Sequence, residues 1–145
     1  MNNYMLDFTN DNLDEGKPIQ AVKEGEYVLR LIDWKSDEDG KIRILDKNDL
    51  PYIMPVLEIV DCPEADVAKN VTVYMPLPHP ERKTKNNSQA KYDLGQFFKA
   101  FGIDYGSSKI DPESMVGMKA SAILIIQEDS GYGESNKVKK WVVGH

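Results

Sequence analysis

Runs of alternating apolar and polar residues recur along the chain between clusters of turn-forming residues, a pattern typical of β-strands. We predict strands at residues 27–34, 52–61, 70–75, 118–128 and 136–143, with a short additional strand at 41–45. Residues 1–20 are polar and poor in periodic apolar positions, so we expect an extended or partly mobile arm there. The pattern therefore predicts a mainly β domain that follows an irregular N-terminal segment.

One stretch, residues 88–101, carries apolar residues at helical spacing. The stripe that we expect to face the core consists of Ala90, Leu94, Phe97, Phe98 and Phe101. Asn87 or Ser88 can cap the start of this helix, and Gly102 suits its end. Further along, the sequence Asp-Pro-Glu at 111–113 favours one short helical turn.

The order of the main elements is three strands, one helix and two strands. This is the order of the OB-fold, a five-stranded Greek-key barrel with one helix between strands 3 and 4. A generic α+β sheet with one packed helix is the alternative. We find no internal repeat and no second domain, and we divide the chain into an acidic arm at 1–21 and an OB-fold-like domain at 22–145.

Period-two alternation places one aromatic residue on the polar or basic face of each of three strands. The residues concerned are Arg30 and Trp34 in the first strand, Tyr74 in the third, and Lys137, Lys139 and Trp141 in the last. Aromatic rings stack on the bases of single-stranded nucleic acid, and basic side chains neutralise its phosphates. These faces therefore predict a nucleic-acid interface, although an ordinary core position is the alternative for both tryptophans.

A basic loop between prolines, residues 77–87, is expected to extend this interface. Its cations Arg82, Lys83 and Lys85 can follow a phosphate backbone as a mobile clamp. The chain as a whole is acidic, with 18 Lys and Arg against 24 Asp and Glu and a net charge of −6. That total argues against a protein that coats duplex DNA by charge alone, but a local basic track still binds anions because distant charges are screened.

Composition excludes several other classes of protein. A single Cys62 cannot form an internal disulfide, which favours a reducing compartment, and two histidines leave little material for a transition-metal site. No apolar run reaches the length of a membrane span, and no basic-plus-apolar signal opens the chain. Acidic clusters at 37–39 and 64–66 could bind Mg²⁺ in a nuclease, but acids in turns are ordinarily solvated. We expect no enzyme activity and no cofactor.

Three short motifs give the chain a family resemblance. They are Glu24-Gly-Glu-Tyr27 before the first strand, Tyr92-x-Leu-x-x-Phe-x-x-Ala-Phe-Gly102 in the helix, and Met115-Val-Gly-Met-Lys119 before an apolar strand. Together they resemble the small OB-fold single-stranded DNA-binding proteins of tailed phages, over roughly residues 22–143. The resemblance implies sequence-independent binding of single-stranded DNA in the host cytoplasm, in support of phage DNA replication or recombination, without catalysis or cofactor.

The acidic segment departs from the pattern of that family. Many single-stranded DNA-binding proteins end in an acidic tail that recruits partners, whereas here the acids Asp7, Asp11, Asp14 and Glu15 lie near the N-terminus. We expect this arm to compete weakly for the basic groove or to recruit phage replication or recombination proteins. The alternative function is an OB-fold protein-interaction module, a phage adaptor or an inhibitor of a host enzyme. A homo-oligomer is compatible with the sequence, since the strand at 52–61 can pair with a copy of itself, but Pro55 argues against a long pairing.

Overall fold

The computed structural model describes residues 5–15, 20–62, 70–106, 109–129 and 133–143. Its strands are β1 (Gly25–Trp34), β2 (Ile44–Leu45), β3 (Pro51–Ile53), β4 (Pro55–Val60), β5 (Val71–Thr72), β6 (Met75–Pro76), β7 (Lys119–Asp129) and β8 (Gly133–Trp141). The helix α1 spans Thr84–Ala100, and short 3-10 turns span Leu13–Glu15 and Pro112–Met115. The predicted acidic cluster at 64–66, and residues 1–4 and 16–19 of the predicted N-terminal arm, lie outside the described residues.

The sheet topology confirms the OB-like barrel. Five antiparallel strands are hydrogen-bonded in the order β5-β4-β1-β7-β8, and α1 lies between the third and fourth of them in chain order. The edge strands β5 and β8 pack beside one another, so the barrel is nearly closed. A second small sheet, in the order β2-β3-β6, arises because two predicted strands are each interrupted, one at Met54 and one at residues 73–74.

Two strands contain a β-bulge that reverses the alternation of faces. In β1, Leu31 lies opposite Leu57 but Asp33 lies opposite Val56, so Ile32 is an extra residue. Because side chains alternate with a period of two, one extra residue moves every later side chain to the opposite face. Trp34 therefore shares the core face of Leu31, not the face of Arg30 as the sequence predicted.

The same displacement occurs in β8. Ile123 lies opposite Lys140 and Leu124 opposite Val138, which leaves Lys139 as the extra residue. Lys139 and Lys140 are consequently both exposed, and Trp141 turns to the core face. The prediction that Trp141 shares a face with Lys137 and Lys139 is corrected by this bulge.

Both tryptophans belong to the core. Trp34 is 6% exposed and Trp141 is 8% exposed. The ring of the fully buried Phe97 stacks with both, at centroid distances of 6.2 Å to Trp34 and 5.2 Å to Trp141. The Trp34 Nε1–H donates to the carbonyl oxygen of Pro112 at 2.8 Å, so its polar atom is satisfied inside the protein. The helix thus fills the barrel through Phe97, with Phe101 buried beside it.

Hydrogen bonds of Arg82 and Asn87 hold the basic loop against the rest of the protein. Arg82 donates from Nε to the Leu77 carbonyl at 2.7 Å and from an Nη to the Pro51 carbonyl at 2.6 Å, which ties the loop to β3. Asn87 accepts from the His79 backbone N–H and donates to its carbonyl. The helix starts at Thr84, with Lys83 at the N-cap position and no side-chain cap hydrogen bond, so the prediction that Asn87 or Ser88 caps its start is wrong.

The root of the N-terminal arm is anchored to β8. The buried side chain of Asn136 accepts from the backbone N–H of Val22 at 2.8 Å and donates to its carbonyl at 3.0 Å. Residues 5–15 are exposed throughout, including the acids that the sequence singles out. The N-terminal arm therefore joins the barrel beside β8, the strand that carries the predicted lysines.

Candidate nucleic-acid interface

A groove of about 540 Å³ lies where the two edges of the barrel sheet approach each other. One wall is the second half of β8, and the other is the Val73–Met75 segment that links β5 to β6. Tyr92, Asp93 and Gln96 of α1 complete the lining on one side, and Glu26 of β1 on another. Because β5 and β8 are both edge strands, this is the place where side chains of several elements can surround a ligand.

Two tyrosines supply exposed rings to the groove. Tyr74 is 52% exposed and Tyr92 is 63% exposed, and both belong to its lining. The Tyr74 ring packs against Tyr52 with centroids 4.9 Å apart and planes inclined by 46°, which supports it from one side. A flat ring held in this way is a platform on which another flat ring can stack.

Two lysines border the same groove because of the bulge in β8. In a regular strand one of Lys139 and Lys140 would point into the core, whereas the extra residue leaves both outside. Lys85 precedes Tyr92 by seven residues and so lies on the same helix face, outside the groove lining. Two helical turns separate them, roughly 10.5 Å along the axis.

Two carboxylates accompany the lysines. Glu26 lies opposite Ile123, which in turn lies opposite Lys140, so an acid and a base occupy the same face on either side of Ile123. Asp93 accepts a hydrogen bond at its Oδ1 from the Gln89 amide at 2.8 Å. The groove is thus close to neutral, with acceptors and cations beside the aromatic rings.

The predicted site residues divide into three groups. Tyr74 and Lys139 line the groove and are exposed, and Trp141 contributes to its buried wall. The exposed residues outside the lining are Lys83, Lys85 and Lys137, of which Lys85 shares the helix face of Tyr92. The remaining three, which the structure assigns to other contacts, are Arg30, Trp34 and Arg82.

The three residues outside the groove have structural partners. Arg30 forms an ion pair with Glu58 across the β1–β4 pair, with its Nε 2.7 Å from a carboxylate oxygen. Arg82 is held by backbone carbonyls, so the prediction that its side chain is part of a mobile basic clamp is wrong. Trp34 cannot reach a ligand without opening of the core around Phe97.

Sequence reasoning missed Tyr92 and Lys140 as site residues. Tyr92 lies outside the apolar stripe of α1. An aromatic residue on the polar side of an amphipathic helix is the sequence signal that could have identified it as a site residue. Strict alternation places Lys140 on the face opposite Lys139, and the bulge that leaves both lysines exposed has no signal in the sequence.

The acidic turn at 37–39 has a structural explanation. The Asp37 carboxylate accepts from the backbone N–H groups of Asp39 at 2.9 Å and Lys41 at 2.8 Å, which closes the turn. Within the described ranges, no group of three or more His, Cys, Asp or Glu side chains is arranged to hold a metal ion.

Among the residues that the structure describes, two carboxyl groups have a lowered pKa, and both lie in turns outside the groove lining. Backbone hydrogen bonds from Leu50 and Asn48 lower the pKa of Asp46, and the charge of Arg82 acts in the same direction. Side-chain and backbone hydrogen bonds from Thr9 lower the pKa of Asp7. Each shift reports a carboxylate that stabilises its own turn.

Comparison with known proteins gives no family for the chain. No protein-family model matches it, and no curated protein matches it significantly. In the part of the chain that the structure describes, no helix has the length and apolar character needed to cross a membrane.

Proposed function

We propose that the protein binds single-stranded DNA in the groove between β8, α1 and the Val73–Met75 segment, without requiring a defined sequence. The observation that carries the proposal is the convergence of two exposed tyrosines and two exposed lysines from three elements on one groove. Stacking of a base on an aromatic ring contributes about 1–3 kcal/mol, and lysines gain by releasing counterions from phosphates.

The arrangement favours single strands over duplex. The faces of Tyr74 and Tyr92 can stack only on bases that are not already stacked within a helix. The net charge of −6 disfavours broad contact with a polyanion, so binding depends on this one groove and on the cations that border it. We place this activity in the cytoplasm, in support of phage DNA replication or recombination, and it requires no catalysis or cofactor.

The N-terminal arm supports a second candidate function, recruitment of a protein partner. Its apolar side chains are exposed, with Met5 at 75% and Leu6 at 80%, and Asp7 and other acids lie among them. A partner with an apolar cleft rimmed by basic residues would complement this segment. Under this proposal the arm binds replication or recombination proteins, while the groove binds DNA.

The DNA-binding proposal is tested by titration of fluorescein-labelled oligonucleotides of about 15 nucleotides, a length that covers one OB-fold site. Single-stranded DNA, the matching duplex and single-stranded RNA are compared at two salt concentrations. We expect the single-stranded DNA to bind more tightly than the duplex and to weaken as salt rises. Absence of binding at low salt would contradict the proposal and would favour the protein-interaction module.

A further inference from the structure

The polar groups of the groove are of two kinds, and only one kind suits phosphate. Lys139 and Lys140 attract an anion, whereas Glu26 and Asp93 repel it. An ionised carboxylate only accepts hydrogen bonds, so the part of a ligand that lies beside Glu26 or Asp93 must donate them. In single-stranded DNA the donors of that kind are on the edges of the bases.

The strand register separates the acid of β1 from the base of β8. Glu26 and Lys140 flank Ile123 on neighbouring strands, two strand spacings apart, which is roughly 9.6 Å between backbones. In the described part of the chain neither Glu26 nor Asp93 forms an ion pair. Glu26 and Lys140 are therefore presented on one face of the sheet without being paired, so that Glu26 is available to a base edge and Lys140 to a phosphate.

The helix places a carboxylate next to one of the stacking rings. Asp93 follows Tyr92 directly, and the bond from Gln89 at 2.8 Å holds its carboxylate in place. Gln96 lies one turn beyond Tyr92 on the same face and also lines the groove. Tyr92, Asp93 and Gln96 all line the groove, so a base that stacks on Tyr92 enters a space that these hydrogen-bond acceptors also border.

We infer that the groove discriminates between bases, preferring those with an exocyclic amino group, and that Asp93 and Glu26 are the residues that determine this preference. Cytosine presents an N4 amino group that donates to a carboxylate, whereas thymine presents the O4 acceptor at the same position and is repelled. The inference rests on the proposed function and specifies which single strands that same groove holds most tightly.

The test compares dC and dT oligonucleotides of the same length, at mildly alkaline pH so that cytosine is neutral. The wild-type protein should bind the dC oligonucleotide about fivefold or more tightly than the dT oligonucleotide. Asp93→Asn and Glu26→Gln replace a pure acceptor with an amide that also donates, so each should reduce that ratio. Glu128→Gln removes the same charge from an exposed position of β7 outside the groove and should leave the ratio unchanged.

Each outcome decides between the two proposals. Equal affinities, or tighter binding of dT by the wild-type protein, would overturn the base preference and leave DNA binding intact. A preference for dC that survives in both groove variants would overturn the assignment to Asp93 and Glu26. Failure to bind either oligonucleotide would overturn the proposed function itself. Thermal unfolding of each variant confirms that the fold is retained before the affinities are compared.

Discussion

Trp141 stacks on Phe97, with ring centroids 5.2 Å apart and ring planes inclined by 16°. The contact joins the end of β8 to α1 inside the barrel. It anchors a strand that lies at the edge of the five-stranded sheet. A tryptophan in a basic strand segment therefore stabilises the fold from within, while the lysines that precede it face outward.

Replacement of Trp141 tests this structural role. We expect Trp141→Ala to lower the free energy of unfolding by about 3–5 kcal/mol, because it removes a large buried ring and leaves a cavity. Urea denaturation followed by circular dichroism measures the change. Trp141→Phe keeps an aromatic contact with Phe97 and should lose considerably less. An alanine variant as stable as the wild type, but weaker in DNA binding, would contradict the core position.

The two bulges explain why the sequence predicted the barrel but misassigned both tryptophans. Apolar periodicity reports the order of strands and the helix, and those were enough to indicate the OB-like topology. A single extra residue at Ile32 or Lys139 leaves no distinctive signal in composition, since both are ordinary strand residues. Each one reverses the faces of all later residues, so the error falls on Trp34 and Trp141 at the ends of their strands.

Site residues could be predicted from the sequence only where their orientation did not depend on a bulge or on a tertiary contact. Tyr74 follows no bulge, and its side chain is exposed as its polar neighbours indicated, although the predicted strand is interrupted at residues 73–74. Tyr92 required knowledge that the polar side of α1 meets β8, which is a tertiary relationship. Arg82 carried a charge typical of a phosphate contact, but its hydrogen bonds to distant carbonyls of Leu77 and Pro51 appear only in three dimensions.

Arg82 provides a second prediction. Arg82→Met removes the donors to two backbone carbonyls and should lower the free energy of unfolding by about 1–3 kcal/mol. Because the guanidinium is engaged within the protein, the salt dependence of DNA binding should stay the same. Chemical denaturation and binding titrations at several salt concentrations measure the two effects. A stable variant with a flatter salt dependence would restore the mobile-clamp interpretation.

The pKa of Asp46 leads to a prediction about acid stability. Backbone hydrogen bonds from Leu50 and Asn48 hold its folded-state pKa below the unfolded value, so its ionised form stabilises the fold above the unfolded pKa. That contribution is lost as the pH falls from the unfolded pKa through the lower folded one. Asp46→Asn keeps an acceptor oxygen but does not titrate, and its stability should therefore fall less steeply between about pH 5 and pH 2 than that of the wild type. Urea midpoints across this range provide the comparison, and identical slopes would contradict the assignment.

The bulge lysines should govern the salt dependence of DNA binding. Each phosphate that a lysine neutralises on a single strand contributes about 0.7 to the slope of log affinity against log salt. Lys139→Gln with Lys140→Gln should therefore reduce the slope by about 1.4 and weaken binding at low salt. Lys35→Gln with Lys47→Gln is a matched control, because both residues are exposed and lie outside the groove. An equal effect of the two double variants would show that the charge acts generally rather than within the groove.

The rings of Tyr74 and Tyr92 provide the most direct test of the groove as a DNA-binding site. Fluorescence anisotropy of a labelled single strand is measured with wild type, Tyr74→Ala, Tyr92→Ala and the phenylalanine variants of both. We predict that each alanine variant weakens binding by about 1–3 kcal/mol and that phenylalanine restores most of the loss, because stacking needs the ring rather than the hydroxyl. Wild-type affinity in both alanine variants, with the fold intact, would contradict the proposal that this groove holds the bases.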